Sequence, residues 1–127
     1  MDEKLNPRLE RTNHKGKTIY YADYTGLLGE ELAGQIRENG RMMSEQEAQG
    51  ELNRLSLVDI RDCFATAEVV NAFKEVARNM GQELKAVAVV GVTGLRKHLL
   101  AIVNRVSGLG AKPFDTVEQA RDWLASQ

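Results

Sequence analysis

The segment from Leu84 to Val92 reads LKAVAVVGV, almost continuously apolar and rich in valine. A short apolar run of this kind, with glycines close on either side, fits a strand buried on both faces. Burial on both faces requires helices on both sides of the sheet, and sheets covered that way are mostly parallel. This one segment therefore argues for an α/β architecture and against a one-sided antiparallel sheet.

The remaining chain supplies suitable partners. Residues 1–7 are polar and expected to fray. Residues 8–13 read as a weak edge strand, and His14-Lys15-Gly16-Lys17 as a turn. Thr18 to Thr25, rich in Ile, Tyr and Thr, reads as the second strand of an antiparallel hairpin. Tyr20 and Tyr24 share one face of it and Tyr21 takes the other.

Gly26 ends that strand, and a helix is expected from about Gly29. Leu28, Leu32 and Ile36 recur at helical spacing on one face. Gly40 either ends this helix or lies within it. Ser44 with Glu47 makes a capping box for a separate second helix in the first case.

Arg54 to Ile60 is strand-like, and Thr66 suits the N-cap of the next helix. Val69, Phe73, Val76 and Met80 mark its apolar face, with Gly81 at its end. After the valine-rich strand, Thr93-Gly94 leads into a helix with the stripe Leu95, Leu99, Ile102, Val103 and Val106, ended by Gly108. Ala111 to Phe114 is a short strand, placed at an edge by Pro113, which lacks a ladder donor. Asp115 with Glu118 resembles a capping box for a last helix burying Val117, Ala120, Trp123 and Leu124. The order is β-β-α-β-α-β-α-β-α. Alternating strands and helices imply right-handed crossovers and a mixed, mostly parallel sheet. No repeat or linker interrupts residues 1–127, which read as a single domain.

Composition narrows the functional classes. The net charge of -1 gives no general attraction to nucleic acid or anionic membrane. Three tyrosines are too few for a base-stacking platform. No apolar run approaches the roughly 20 residues of a membrane span, and no signal-peptide pattern is visible. Cys63 is the only cysteine, so no internal disulfide forms, and a reducing, cytoplasmic setting is expected. His14, His98 and Cys63 lie too far apart in sequence to make a metal-ligand motif, and no cofactor is expected.

Four stretches together carry a resemblance. IYYADYTGL (residues 19–27), LSLVDIRD (55–62), VAVVGVTGLRKHLLAIVNRVSG (87–108) and KPFDTVEQARDWL (112–124) look like the SpoIIAA-like, or STAS, family, which is also described as STAS/SEC14-related. The resemblance runs from about residue 9 to residue 125. It implies a sheet of about five strands with helices packed around it. It also implies a non-enzymatic regulatory or protein-interaction module, or alternatively a small-ligand or lipid-binding carrier. Anti-sigma antagonists of this fold carry a phosphorylatable serine at the start of the helix after the middle strand. Here that junction runs from Asp59 to Thr66 without a serine, and Thr66 is the nearest hydroxyl. Its first expected duty is capping, its second phosphorylation.

In open α/β sheets, ligands bind beyond the carboxyl ends of the parallel strands. That edge is expected to gather Thr25, Arg61, Asp62, Thr93 and Gly94, with Cys63 and Asp115. Arg96 and Lys97 fall in the first turn of a helix, where amide donors and the helix dipole already favour an anion. Thr93, Gly94, Arg96 and Lys97 thus form a candidate site for phosphate, sulfate or a lipid head group. Its bland counterpart is a capped helix with two solvated cations. Asp23, Asp59 and Asp62 lie near strand ends, but no nucleophile or base at a diagnostic spacing accompanies them. Turn and cap duty is their expected use.

The leading reading is therefore an interaction module with an exposed apolar patch, its partner an unidentified protein or a second copy of the chain in a homodimer. The carrier reading requires instead an apolar pocket of a few hundred Å³ for an anionic or lipid ligand.

Overall fold

The computed structural model describes residues 2–48, 54–64, 66–80, 83–92, 100–101, 104–105 and 110–127. Its strands are β1 (Glu3–Asn6), β2 (Leu9–His14), β3 (Lys17–Asp23), β4 (Arg54–Asp59), β5 (Leu84–Val90) and β6 (Lys112–Phe114). They stand side by side in chain order in one sheet. β1, β2 and β3 are antiparallel, and β3 through β6 are parallel. The described helices are α1 (Gly29–Ala48), α2 (Ala67–Met80) and α3 (Val117–Ala125).

The α/β class and the mixed, mostly parallel sheet are as expected. The sheet has six strands rather than about five. The added one, β1, lies in the stretch expected to fray, and it makes β2 an inner strand. Asn6 fastens it. Its Oδ1 accepts from the Arg8 amide at 2.7 Å, and its Nδ2 donates to Asn39 Oδ1 on α1 at 2.9 Å. Leu5 packs against the core beside it. The β2–β3 turn is the expected one, with Lys15 and Gly16 both left-handed at φ of 51° and 77°. Consecutive positive φ values give the turn whose twist matches a two-residue hairpin.

The valine-rich strand behaves as its composition requires, with Ala86 through Val90 all buried. Side chains alternate between two layers. On one face, Tyr20, Ala22 and Tyr24 meet Leu32 and Ile36 of α1 and Val69, Ala72 and Met80 of α2. On the other, Ile19, Leu55, Leu57, Ala86, Ala88 and Val90 meet Ala120 and Leu124 of α3, flanked by Val117 and Trp123. The two tyrosine faces inferred from the alternation are those seen.

α1 runs unbroken through Gly40. A Cβ at that position would lie 2.9 Å from the Val76 side chain of α2. The glycine serves the close approach of two helices instead of ending one. Leu28, expected on the buried stripe, precedes the helix and is 49% exposed, whereas Leu32 and Ile36 are buried.

Thr66 accepts from the Val69 amide at 3.3 Å and caps α2 as expected. The cap of α3 is Thr116, not Asp115. Its Oγ1 accepts from the Gln119 amide at 3.1 Å. β6, with Pro113, is the far edge of the sheet. His14 bonds Asp122 of α3 at 2.8 Å, so it is not isolated. Most of the helix expected from Thr93 to Gly108 lies outside the described residues, as do His98 and Gly81. Leu100–Ala101 and Asn104–Arg105 within it are helical.

Candidate functional site

The register aligns the ends of the parallel strands. Asp23 pairs Asp59, Asp59 pairs Val90, and Val90 pairs Phe114. The loops leaving these strands therefore collect on one edge of the sheet. They carry Thr25, Arg61, Asp62, Cys63 and Asp115, which the topology predicts there, and also Gly91. Thr93, Gly94, Arg96 and Lys97, the anion-site candidates, lie outside the described residues.

Two of the described candidates, Thr25 and Arg61, are bound up in local structure. The Thr25 amide and hydroxyl both donate to Asp23 Oδ1, at 3.0 and 2.6 Å. The Thr25 carbonyl accepts from Arg8 Nη1 at 3.0 Å. Asp23 thus shapes the turn after β3, the role expected of a carboxylate there.

On the adjoining strand, Asp59 is wholly buried. Arg61 Nε donates to its Oδ1 at 2.9 Å and Arg61 Nη2 to its Oδ2 at 2.6 Å, a two-point grip. The Tyr21 hydroxyl donates to the same Oδ2 at 2.8 Å. Burial pushes the Asp59 carboxyl up, but the bonds from Arg61 and Tyr21 outweigh it and hold the group below the usual carboxylate range. Burial first, then the hydrogen bond to Asp59, raises the Tyr21 hydroxyl well above its ordinary range. Tyr21 therefore stays protonated and donating. Above it, the Arg121 guanidinium lies 5.7 Å from the ring centroid.

Arg61 itself remains half exposed, at 51% of its side chain. Its loop is tightly placed. Gly91, at φ 96°, would carry a Cβ 2.7 Å from the Arg61 amide nitrogen. Asp62 beside it takes a left-handed conformation, φ 60°, and is exposed. Thr25, Arg61 and Asp62 thus share the sheet edge, but Thr25 and Arg61 face internal partners.

Two apolar side chains distinguish this edge. Phe64 is 69% exposed and Leu28 49% exposed, the large apolar residues most open to solvent among those described. They lie in the loops leaving β4 and β3, which are neighbours in the sheet. Phe64 was absent from the sequence-derived candidates. The available signal was an aromatic residue in a polar loop two positions before a helix cap.

An apolar cavity of about 140 Å³ lies between the sheet and the α1–α2 pair, with Leu100 and Ala111 also on its wall. Ala22, Ser56 and Val58 of the sheet, Ile36 and Met43 of α1, and Phe73, Val76 and Ala77 of α2 are among its walls. Cys63 and Phe64 border it at the sheet edge. The Cys63 thiol is buried and donates to the Tyr24 carbonyl at 2.9 Å. Cys63 is therefore a wall residue, and its expected burial is as found. Among the described residues, no group of three or more His, Cys, Asp or Glu could hold a metal ion. No described helix is long and apolar enough to cross a membrane.

The architecture defined by this sheet order is the SpoIIAA-like, or STAS, fold. Among the solved structures that share it are two. One is an uncharacterized protein of the DUF3478 family with a SpoIIAA-like fold from Shewanella loihica, 20% identical, covering 91% of each chain with a TM-score of 0.61. The other is an anti-sigma-factor antagonist (STAS) domain protein from Planctomyces limnophilus, 14% identical, covering 92% of this chain and 97% of that one with a TM-score of 0.58. No family model matches the sequence, and no curated protein matches it.

Proposed function

We propose that residues 1–127 act as a single-domain, non-enzymatic protein-interaction module of the STAS kind, working through the carboxyl edge of the parallel strands. The observation that carries this reading is the exposure of Phe64 and Leu28 on the loops leaving two neighbouring strands of that edge. Large apolar side chains left in water on one edge favour a partner that covers them. The Planctomyces neighbour, an anti-sigma-factor antagonist domain, supports a regulatory partner. The bonding of Asp23 and Asp59 supports a structural, not catalytic, use of the edge carboxylates. A cytoplasmic setting fits the lone cysteine.

A photo-cross-linking residue at position 64, in host cells, should give one discrete adduct that is lost with Leu28→Asp. The same residue at position 118 of α3 should give none. Equal adducts from both positions would remove the reading. An adduct of twice the chain mass would identify the partner as a second copy, the homodimer form of the proposal.

A second reading, a small-ligand carrier, is favoured by the cavity beneath α1 and α2. It competes with the first only if the ligand, and not a protein, is the physiological partner. Thr66, exposed at the start of α2, keeps a secondary place as a modifiable hydroxyl of the same edge. Arg96 and Lys97 keep theirs as the candidate anion contact.

A further inference from the structure

The cavity is bounded on one side by α1 and α2, which cannot simply close on it, and on another by Leu100 and Ala111. Gly40 brings α1 so near α2 that a Cβ would lie 2.9 Å from Val76. The helix pair is thus packed to contact and bridges the sheet as one unit. Beneath it, two neighbouring strands present small side chains, Ala22 and Ser56, and α2 presents Ala77. Small residues below a rigid bridge leave a void.

Of the polar groups of the wall, Asn39 and Cys63 already have partners, and Ser56 adds a single hydroxyl. Asn39 donates to the Arg8 carbonyl at 3.2 Å and accepts from Gln35 and Asn6, each at 2.9 Å. The Cys63 thiol is bonded to the Tyr24 carbonyl. Such a wall has little to offer water, which needs two to four polar partners to settle. It suits an apolar guest. The size is equally restrictive. An apolar cavity of about 150 Å³ accepts benzene, and this one is about 140 Å³. That is well short of the roughly 300–1,000 Å³ of a pocket for a larger ligand. A whole long-chain lipid does not fit.

Building on the carrier reading, we infer that this cavity is a binding site for a small apolar body about the size of one six-membered ring, entering beside Phe64. Phe64 both borders the cavity and stands in solvent, so it marks the mouth. Trp123 packs on the opposite face of the sheet and is remote from the guest.

The test titrates the full chain with toluene, naphthalene and dodecanoate, followed by amide and methyl chemical shifts. Toluene should saturate, moving signals of Val58, Val76 and Ala77 while leaving those of Leu57 and Leu124 in place. Naphthalene and dodecanoate should bind at least tenfold more weakly. Ser56→Leu should weaken toluene at least tenfold without lowering Tm. Ala22→Val, on the adjoining strand, is the second filler should that variant fold poorly. Toluene should also slow modification of Cys63 by a thiol reagent.

No saturable toluene binding, unchanged affinity in folded filler variants, or tighter binding of dodecanoate would each overturn the inference. The carrier reading is judged separately, by native mass spectrometry of protein from its own host. A stoichiometric small molecule retained by both filler variants would uphold that reading and overturn this site. An empty native protein that still binds toluene selectively would support the site and count against the carrier reading.

Discussion

The two faces of the sheet solve the same covering problem differently. One short helix, α3, covers Ile19, Leu55, Leu57, Ala88 and Val90, and its Leu124 and Ala120 pack with them, fully buried. Two longer helices, α1 and α2, cover the other face, yet a cavity remains beneath them. One difference lies in helix-to-helix contact. On the α3 side, a single helix packs on Ile19, Leu55 and Leu57 and on the small Ala86 and Ala88. On the α1–α2 side, Gly40 against Val76 fixes the helices to each other, while Ala22 and Ser56 fall short of them. A covered sheet face thus need not be filled, and the cavity on this one is bordered by Phe64.

This contrast predicts a graded set of responses. The largest is expected on the closed face. Leu57→Ala, at a fully buried position, should cost about 2–5 kcal/mol in urea unfolding, because its neighbours cannot collapse into the space. Val76→Ala, at the rim of the existing cavity, should cost well under that. Equal losses would erase the distinction between the faces.

Next, Gly91→Ala forces a side chain into a left-handed backbone and against the Arg61 amide. A loss of about 1–3 kcal/mol is expected. It should be accompanied by altered Arg61 and Asp59 signals, and a neutral outcome would show that the loop is loose.

Of similar size is the effect of Asp59→Asn, about 1–3 kcal/mol near neutrality, since a buried charge-assisted pair is weakened. Its pH dependence is more telling. The native carboxyl is held below its unfolded value of about 3.9, so its contribution is present above that pH and lost as pH falls through the native value. Wild-type stability should decline below about pH 4, and the variant's curve should lack that component. Identical acid profiles would break the assignment.

Thr66→Ala should cost about 1 kcal/mol through the lost cap of α2. The smallest effect, and the only gain, is expected from Ser56→Val. Partly filling the cavity should add about 0.5–1 kcal/mol. A loss there would mean the space is already occupied by packed side chains.

The sequence was most informative where one residue's environment is set by its own segment. The run of valines demanded burial on both faces, and β5 has it. Thr66 had the capping position and caps. Glycines were harder, because the same residue ends helices and lets them touch. Gly40 does the latter for a reason found in Val76, thirty-six positions away. β1 was hidden for a related cause. Its polar residues carry no strand signal, and its anchor is the bond from Asn6 to Asn39.

The candidate edge was legible from topology alone, since strand ends follow from strand order. What each residue does there was not. Arg61 looked available for a ligand, but the buried Asp59 two residues earlier holds it from inside. Phe64 carried no period or motif and emerges only through its exposure. The cavity had no signature at all, because a void is the product of side chains brought together from six or more segments.

The most direct test of the contrast between the two faces is xenon pressure with methyl-resolved NMR. Xenon enters dry apolar cavities of this size. The methyl signals of Ile36, Val58 and Val76 should shift in a saturable manner, and those of Ile19, Leu57 and Leu124 should stay fixed. Shifts of equal size in both groups, or none in either, would contradict a filled face set against an open one.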